Sequence, residues 1–371
     1  MDKKELFEIF DAYGFNMEQY VGMRNISIGH INTTNILYFD QGEKVKRYLL
    51  QKININVFKN PDELMANIEN VSIYGKRLLK SFEVDNYKNK IIRIFLTQNR
   101  KTFMKTSSNN YYRIYHYVEG SISFDVTTDP ELLENAGKAI GFFQNLLASF
   151  PIEKLYETIP HFHDTPYRLN HFKDVVKEAT PNIITTCEKE IDFVINHENI
   201  AYFIQPLIDK KQMPLKVTHN DTKINNIMFD YATKKPLCLV DLDTIMPGSI
   251  CYDFGDFVRS ACNLGQEDEQ DLNKVVFSEE LFSYFAKGYL YSVASSIENI
   301  ELDNLVKGAI LMTYECGMRF LTDYIEGNVY FKISYPTHNL IRARTQFHLV
   351  KQMLEKQQDL ENEIKEIYKT I

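Results

Sequence analysis

Cysteine is scarce in this chain of 371 residues, and its five positions are scattered. They are Cys187, Cys238, Cys251, Cys262 and Cys316. No two of them form a Cys-x-x-Cys pair, which argues against the common zinc and redox motifs. An odd and scattered set of thiols also argues against a disulfide framework and favours reduced cysteines. We therefore expect a cytoplasmic protein without disulfides or a structural zinc site.

Long apolar runs and an excess of positive charge are also lacking. No run approaches the roughly 20 apolar residues that a membrane-spanning helix needs, and the acidic N-terminus does not resemble a secretory signal. The net charge of −8 argues against a nucleic-acid groove. Hydrophobic residues make up 44% of the chain, which is normal for a globular protein long enough to form two lobes. We expect no membrane or nucleic-acid partner, and a monomer or weak dimer.

The chain does contain a polar loop in which His219, Asp221 and Asn226 follow the His-x-Asp-x₄-Asn spacing of a kinase catalytic loop. Phosphoryl transfer needs a carboxylate that accepts the proton of the acceptor hydroxyl, and Asp221 occupies the position of that base. Asn226 offers a neutral oxygen ligand, which suits a hard cation such as Mg²⁺. Since Asp221 supplies the base, we expect His219 to brace the loop through a main-chain hydrogen bond. The spacing predicts a kinase that uses ATP and Mg²⁺.

A second magnesium ligand must come from a neighbouring strand, and the sequence offers two candidates. The Asp-Phe-Gly string at 253–255 matches the protein-kinase motif for this ligand, but Asp253 lies 27 residues after Asn226. Asp241 lies only 15 residues after Asn226, behind turn residues at 230–235 and an apolar run at 237–240. A strand, a tight turn and a returning strand would carry Asp241 back beside Asn226. We therefore choose Asp241 as the ligand, and expect Asp253 to cap a helix and brace the loop.

Several segments together resemble the aminoglycoside phosphotransferase and choline kinase-like superfamily, and more closely its N-acetylhexosamine 1-kinase group. The segments that carry this resemblance are 219–223, 240–248, 314–324, 327–331 and 338–344. The resemblance covers most of the chain. It implies a bilobal α+β fold like that of protein kinases. Residues 1–120 would form a small N-lobe with an antiparallel sheet, and residues 121–371 a larger, mainly α-helical C-lobe.

The same resemblance implies a substrate and further site residues. The reaction would be ATP-dependent phosphorylation of the anomeric hydroxyl of N-acetylglucosamine or N-acetylgalactosamine, giving the sugar 1-phosphate. Lys223 corresponds to a residue near the transferring phosphate. Asp243 either reaches a second Mg²⁺ or orients the first ligands. Arg319, Asp323 and Tyr330 lie in segments that resemble the acceptor side of these sugar kinases.

Six positions are expected to contact the nucleotide. They are Gly29, Thr33, Thr34, Lys52, Tyr117 and Val118. The first three lie in or after the first turn of a predicted three-stranded sheet, where backbone amides approach phosphates. In kinases a lysine at the end of the third strand contacts phosphates and pairs with a helix glutamate, here Glu63 or Glu69. Tyr117 and Val118 precede a glycine-containing turn that resembles the interlobe hinge.

Other interpretations of these patterns stay open. His161, His163 and Asp164 suggest a metal site, but we favour a substrate-facing loop or a helix-capping turn. A kinase for a cationic acceptor, such as an aminoglycoside or choline, would share every catalytic residue. A choline site also favours aromatic side chains in its walls. The chain has tyrosine and phenylalanine for such walls but no tryptophan. A pseudokinase that serves as a binding module would lack the base or a metal ligand, and both are present.

Overall fold

A computed structural model of the protein describes residues 2–26 and 32–371. The α-helices, α1 to α12 in chain order, are Lys3–Tyr13, Pro61–Ser81, Pro130–Leu147, Thr165–Glu178, Pro181–Asn196, Gln205–Asp209, Ile250–Ala261, Glu279–Val293, Asn299–Leu302, Leu305–Ile325, His338–Glu355 and Gln357–Lys369. The strands, β1 to β11, are Tyr20–Ile26, Thr33–Asp40, Val45–Lys52, Ile94–Phe95, Met104–Lys105, Tyr111–His116, Ser121–Ile122, Lys216–Thr218, Ile227–Asp230, Pro236–Leu239 and Met246–Gly248. No helix in these described residues is long and apolar enough to cross a membrane.

The N-terminal part is an antiparallel sheet covered on one face by α1. The strand order is β1-β2-β3-β6-β4, and β5 also pairs with β6. Asp2 caps α1 by accepting a hydrogen bond from Glu5 N, and Gly14 ends the helix in the left-handed conformation. Phe10 of α1 packs against alternate residues of the sheet, such as Phe39 and Leu50, in a small aromatic-rich core. The opposite face of the sheet is thereby left for the cleft.

A second, larger core joins α2 to the helical part of the chain. Ile68 of α2 belongs to the same buried cluster as Ile140 of α3, Phe285 of α8 and Leu311 of α10. Asn67 of α2 is also buried, and its side chain is hydrogen-bonded to main-chain atoms in the C-terminal part. The helix expected in the N-lobe is therefore packed as part of the C-terminal core.

The predicted hairpin after the catalytic loop is present. Strands β9 and β10 pair antiparallel with Leu239 opposite Ile227, and β7 pairs with the other edge of β9. Val240 N also donates to Asn226 O at 2.9 Å. The hairpin therefore carries Asp241 back beside Asn226, as the spacing predicted.

Helix α7, which follows this hairpin, is held at close range against α10 by two glycines. A Cβ added at Gly308 would lie 2.4 Å from the main-chain oxygen of Cys251, and one at Gly255 would lie 2.4 Å from the main-chain oxygen of Gly308. Both distances are far inside van der Waals contact. A hydrogen in place of a side chain is therefore required at this crossing.

We predict that Gly308→Ala lowers the free energy of unfolding by about 1–3 kcal/mol, because the extra methyl forces two packed helices apart. Chemical denaturation monitored by circular dichroism measures this loss. Gly22→Ala is the matched control, since nothing lies within 4 Å of an added Cβ on β1. Equal unfolding midpoints for the two variants would contradict the proposed close contact.

Candidate active site

A cleft of about 660 Å³ lies between the sheet and the helical part, and the predicted catalytic loop lines it. Asp221, Lys223 and Asn226 line its wall on the helical side, together with Asp241 from the hairpin. Thr34, Tyr117 and Val118 line it from the sheet and from the segment after β6. This cleft therefore brings together predicted residues that lie far apart in the sequence.

The carboxylate of Asp221 is at the centre of the catalytic loop and is accessible, with 32% of its side chain exposed. Asn226 Nδ2 donates to Asp221 Oδ2 at 3.0 Å, and Lys223 Nζ lies 3.2 Å from Asp221 Oδ1. Enclosure by protein alone would raise the pKa of Asp221, but Lys223 and His219 outweigh it and lower that pKa. The loop therefore keeps Asp221 ionised, as an acceptor of a proton requires.

Asp241 lines the same cleft, and its backbone is in the left-handed conformation with φ 59° and ψ 55°. Such a backbone is strained for a residue with a side chain, and it is often found at functional sites. Enclosure by protein, together with the carboxylates of Asp243 and Asp221, raises the pKa of Asp241 to about 7. Negative charge is therefore crowded at a point that is open to the cleft.

The donor set at this point fits a magnesium ion. Asn226 and Asp241, the predicted ligands, both line the cleft and carry side-chain oxygens, and the nearby carboxylates favour a cation. The described residues contain no group of three or more His, Cys, Asp or Glu side chains placed to hold a metal. Mg²⁺ usually takes one or two protein ligands and completes its shell with phosphate and water oxygens, so a two-ligand site suits it.

Asp253 is fully buried beneath the loop and does not line the cleft. Its carboxylate accepts hydrogen bonds from the main-chain N–H groups of His219 and Asn220 and from the side chain of Gln144. His219 Nε2 donates to Val240 O at 2.9 Å, and its Nδ1 accepts from Asp221 N. The expectation that Asp253 and His219 brace the loop is confirmed by these contacts, whereas the expected capping by Asp253 is wrong, because Ser249 caps α7.

Two residues that support the loop were missed by the sequence analysis. Asn220 adopts φ 63° and donates from its side chain to Thr244 O. Thr222 N donates to Asp256, which is in turn paired with Arg259. Asparagine is among the residues that tolerate a left-handed backbone, so its place directly before the base was a usable signal.

Lys52 does not reach the cleft. Its side chain lies with Thr33, its register partner on β2, beside a separate cavity of about 420 Å³. Side chains alternate across a strand, so Gln51 faces the cleft instead. Within the described residues no ion pair joins Lys52 to Glu63 or Glu69. The prediction that Lys52 and Thr33 contact the nucleotide phosphates is therefore wrong, because this strand register places both side chains away from the cleft. The predicted Gly29 lies outside the described residues.

Asp243 is already paired within the protein. It is 3% exposed, its Oδ1 lies 2.5 Å from Arg113, and its Oδ2 accepts from Asn32 at 2.5 Å. Of the two roles considered for Asp243, these contacts favour orienting the ligand turn over direct contact with a second cation.

The predicted acceptor residues Arg319, Asp323 and Tyr330 form one group. They line neither the cleft nor a second, smaller pocket of about 270 Å³ that lies beside Asn220 of the catalytic loop. The Arg319 guanidinium lies over the rings of Phe162, Tyr330 and Phe331, at 5.5 to 5.9 Å from their centroids. Asp323 is buried and accepts from the main-chain N–H groups of Tyr330 and Phe331. Asp323 therefore supports the segment that carries Tyr330, and Tyr330 itself is exposed.

Solved structures of kinases share this fold. The chain is similar to Plasmodium vivax ethanolamine kinase (15% identity, 89% of this chain and 82% of that chain, TM-score 0.55). It is similar to choline kinase from Cryptosporidium parvum Iowa II (14%, 96% and 97%, TM-score 0.54). It is also similar to a spectinomycin phosphotransferase in complex with ADP and spectinomycin (13%, 96% and 99%, TM-score 0.59). The predicted bilobal α+β, kinase-like fold is confirmed.

A family model described as the phosphotransferase enzyme family, APH, matches residues 90–279. This match covers more than half of the chain and contains the catalytic loop, the hairpin and Asp253. The chain therefore belongs to the phosphotransferase enzyme family.

Proposed function

We propose that the protein is a kinase that transfers the γ-phosphoryl group of ATP to a hydroxyl of a small neutral acceptor. The observation that carries this proposal is the arrangement of Asp221, Lys223, Asn226 and Asp241 around one cleft. The ADP in the spectinomycin phosphotransferase complex supports nucleotide use by this fold. The division into lobes at 1–120 and 121–371 is part of the proposal, because the cleft lies between β1–β3 and the catalytic loop; α2 is the part of 1–120 that packs with the C-terminal core.

In this proposal each residue has a defined role. Asp221 orients the acceptor hydroxyl and takes its proton late in the transfer, when the oxygen becomes acidic. Lys223, whose pKa is raised by Asp221, remains positive beside the transferring group. Asn226 and Asp241 would hold Mg²⁺, which neutralises phosphate charge when bound. Most of the rate then comes from positioning and fixed charge.

A pocket of about 270 Å³ beside the catalytic loop is the proposed acceptor site. Asn220, next to the base, lines it, as do Tyr252 and the segment 161–164. Its size suits a single sugar ring better than a multi-ring aminoglycoside. Asn220 lines this pocket, and the next residue, the base Asp221, lines the cleft. A molecule bound in the pocket would therefore lie beside the catalytic loop, where transfer from the cleft is favoured.

The carboxylates of this pocket make hydrogen bonds within their own segment of the chain. Two carboxylates line it, Glu157 and Asp164. Glu157 accepts from His161 N at 3.0 Å, while Asp164 caps α4 by accepting from Tyr167 N and contacts the His161 ring. These contacts hold both carboxylates in place within the segment 157–167, and the cationic acceptors in the assay below test whether either of them also pairs with a substrate ammonium group.

His163 provides a polar group suited to a hydroxyl or amide. Its side chain is 6% exposed, Nδ1 lies 2.9 Å from Glu315, and the buried Nε2 has no hydrogen-bond partner among the described residues. Such an unsatisfied polar atom in a pocket wall favours a hydrogen-bonding ligand. Together with the resemblance of the segments above, this supports an N-acetylhexosamine, phosphorylated at its anomeric hydroxyl.

The first test is ATP consumption with Mg²⁺ and a panel of acceptors: N-acetylglucosamine, N-acetylgalactosamine, aminoglycosides, choline and ethanolamine. Phosphorus NMR identifies the product. We expect turnover with an N-acetylhexosamine and an anomeric phosphate signal. Turnover with cationic acceptors alone would overturn the acceptor assignment and retain the catalytic residues. ATP binding without turnover of any acceptor would indicate a pseudokinase.

We predict that Asp221→Asn lowers kcat by about 10²–10⁴-fold, because the variant cannot accept the proton of the acceptor. ATP affinity should change little, since the base faces the acceptor and the metal ligands remain. Steady-state kinetics and calorimetric ATP binding measure the two effects separately. Asp192→Asn, at an exposed position on α5, is the matched control. A kcat that stays near the wild-type value would show that Asp221 is not the base.

A stability prediction follows from the network that holds His163. Burial alone would raise the pKa of Glu315, but His163, Arg168 and Arg319 outweigh it and lower that pKa to about 2. A folded-state pKa below the usual value near 4.5 means that the ionised carboxylate stabilises the fold above that pH. This contribution is lost as the pH falls from there toward 2.

We therefore predict that the stability advantage of wild type over Glu315→Gln shrinks by about 1.4 kcal/mol between about pH 6.5 and about pH 3.5. Urea denaturation of both proteins across this range measures it. Glu188→Gln, at an exposed position on α5, is the control and should show no such trend. An advantage that stayed constant with pH would show that Glu315 is not a depressed carboxyl in the folded protein.

A further inference from the structure

The cleft-facing side chains of the N-terminal sheet form cross-strand rows that can be placed relative to the catalytic loop. Arg24, Ile36, Leu49 and Tyr115 are register partners in one row across β1, β2, β3 and β6. This row meets the segment after β6, where the nucleotide base is expected. Its members Leu49 and Ile36 provide the apolar surface that suits a base.

The next row lies one step closer to the catalytic loop. Its members Ile26, Thr34, Gln51 and Arg113 are again register partners. Arg113 contacts Asp243, which follows the proposed metal ligand by two residues. The row is therefore level with the position where nucleotide phosphates meet the metal ligands.

Gln51 is held in one orientation by Arg113. Both Nε and a terminal nitrogen of Arg113 donate to Gln51 Oε1, at 3.0 and 2.9 Å. A guanidinium group has donors only, so the amide oxygen must face Arg113 and the amide nitrogen must face away from it. Gln51 Nε2 accordingly donates to Thr34 Oγ1 at 3.0 Å, and both Gln51 and Thr34 line the cleft.

Arg113 itself does not line the cleft. It is 0% exposed, and its charge is offset by Asp243 at 2.5 Å. A lysine at position 51 would place a second cation against this buried arginine. The sheet is therefore built for a neutral donor at the point where the kinase pattern has a lysine.

We infer that Gln51 binds the nucleotide phosphates through its amide N–H, and that Arg113 is a positioning residue that fixes this amide. The inference rests on the proposed function, because it requires a nucleotide in the cleft. The amide has two N–H groups, and Thr34 is the one protein acceptor found for them in the described residues. The other N–H is directed by the same geometry to a ligand oxygen.

The test is calorimetric binding of ATP, ADP and adenosine, in buffer containing Mg²⁺, to wild type and Gln51→Glu. The glutamate keeps the acceptor that faces Arg113, so the fold is retained, but it replaces the amide donor with a negative charge. We expect ATP and ADP to bind about tenfold or more weakly, while adenosine affinity stays within about twofold of wild type. A purely structural defect would weaken all three ligands alike.

Two further variants sharpen this result. Arg113→Lys keeps a cation for Asp243 but loses the forked contact with Gln51. It should weaken ATP relative to adenosine, by less than Gln51→Glu does. Gln41→Glu makes the same chemical change at an exposed turn position in the same sheet, and should leave all three affinities unchanged.

The outcomes separate this inference from the function on which it rests. If wild type binds neither ATP nor adenosine, the proposed function and the inference both fail. If wild type binds ATP and Gln51→Glu binds it equally well, the inference alone fails. A loss of ATP affinity in Lys52→Met that is absent in Gln51→Glu would also overturn it, because the phosphate contact would then lie on the opposite face of β3.

Discussion

The buried carboxylate of Asp253 is the constraint on which the candidate site depends. A carboxylate in a protein interior is costly unless its oxygens accept hydrogen bonds, and here two main-chain N–H groups and an amide supply them. The same bonds hold the backbone of His219 and Asn220, and the residue that follows them, Asp221, lines the cleft. Removing this carboxylate would leave two buried N–H groups unpaired at the position where the loop must be most rigid.

A second constraint holds the turn that carries Asp241. From the sheet, Arg113 pairs with Asp243; from α2, Asn67 Nδ2 donates to Ile245 O at 2.9 Å. From the catalytic loop, Asn220 donates to Thr244 O at 2.8 Å. Three parts of the chain thus meet on the residues directly after Asp241. These hydrogen bonds and this ion pair stabilise the left-handed backbone at Asp241, which would otherwise be unfavourable.

The sequence was most informative in the segment where the catalytic loop is followed directly by a short hairpin. The His-x-Asp-x₄-Asn spacing and the apolar run before Asp241 were sufficient to predict the hairpin and to separate Asp241 from the buried Asp253. Local pattern was sufficient because the hairpin is short and its pairing is set by the turn at 230–235. The residues of the cleft wall that come from one continuous segment were therefore predictable.

The sheet side of the cleft was harder to predict because its strands are apolar on both faces. In β3, Tyr48, Leu49 and Leu50 follow one another, so alternation does not show which face is the cleft. Helix α1 covers Leu50, and Lys52 lies on the same face of β3 as Leu50. Lys52 therefore lies on the face away from the cleft, and Gln51 lies on the cleft face. Arg113 and Asn67 act through contacts with residues more than a hundred positions away, for which a single sequence holds no local signal.

The charged side chains around the cleft bear on how an acidic protein would bind a nucleotide polyphosphate under the proposed function. Among the described residues, the lysine and arginine side chains that line the cleft are Arg24 and Lys223, and Lys223 is paired with Asp221. Arg113 lies behind the cleft wall, where its charge is offset by Asp243. The carboxylates of Asp221, Asp241 and Asp243 lie close together instead, and burial together with this repulsion raises the pKa of Asp241. Under the proposed function, such a site would bind a nucleotide poorly on its own and better when a divalent cation accompanies its phosphates. The neutral amide of Gln51 is consistent with this arrangement, because a donor without charge can contact phosphate oxygens without competing with the cation for them.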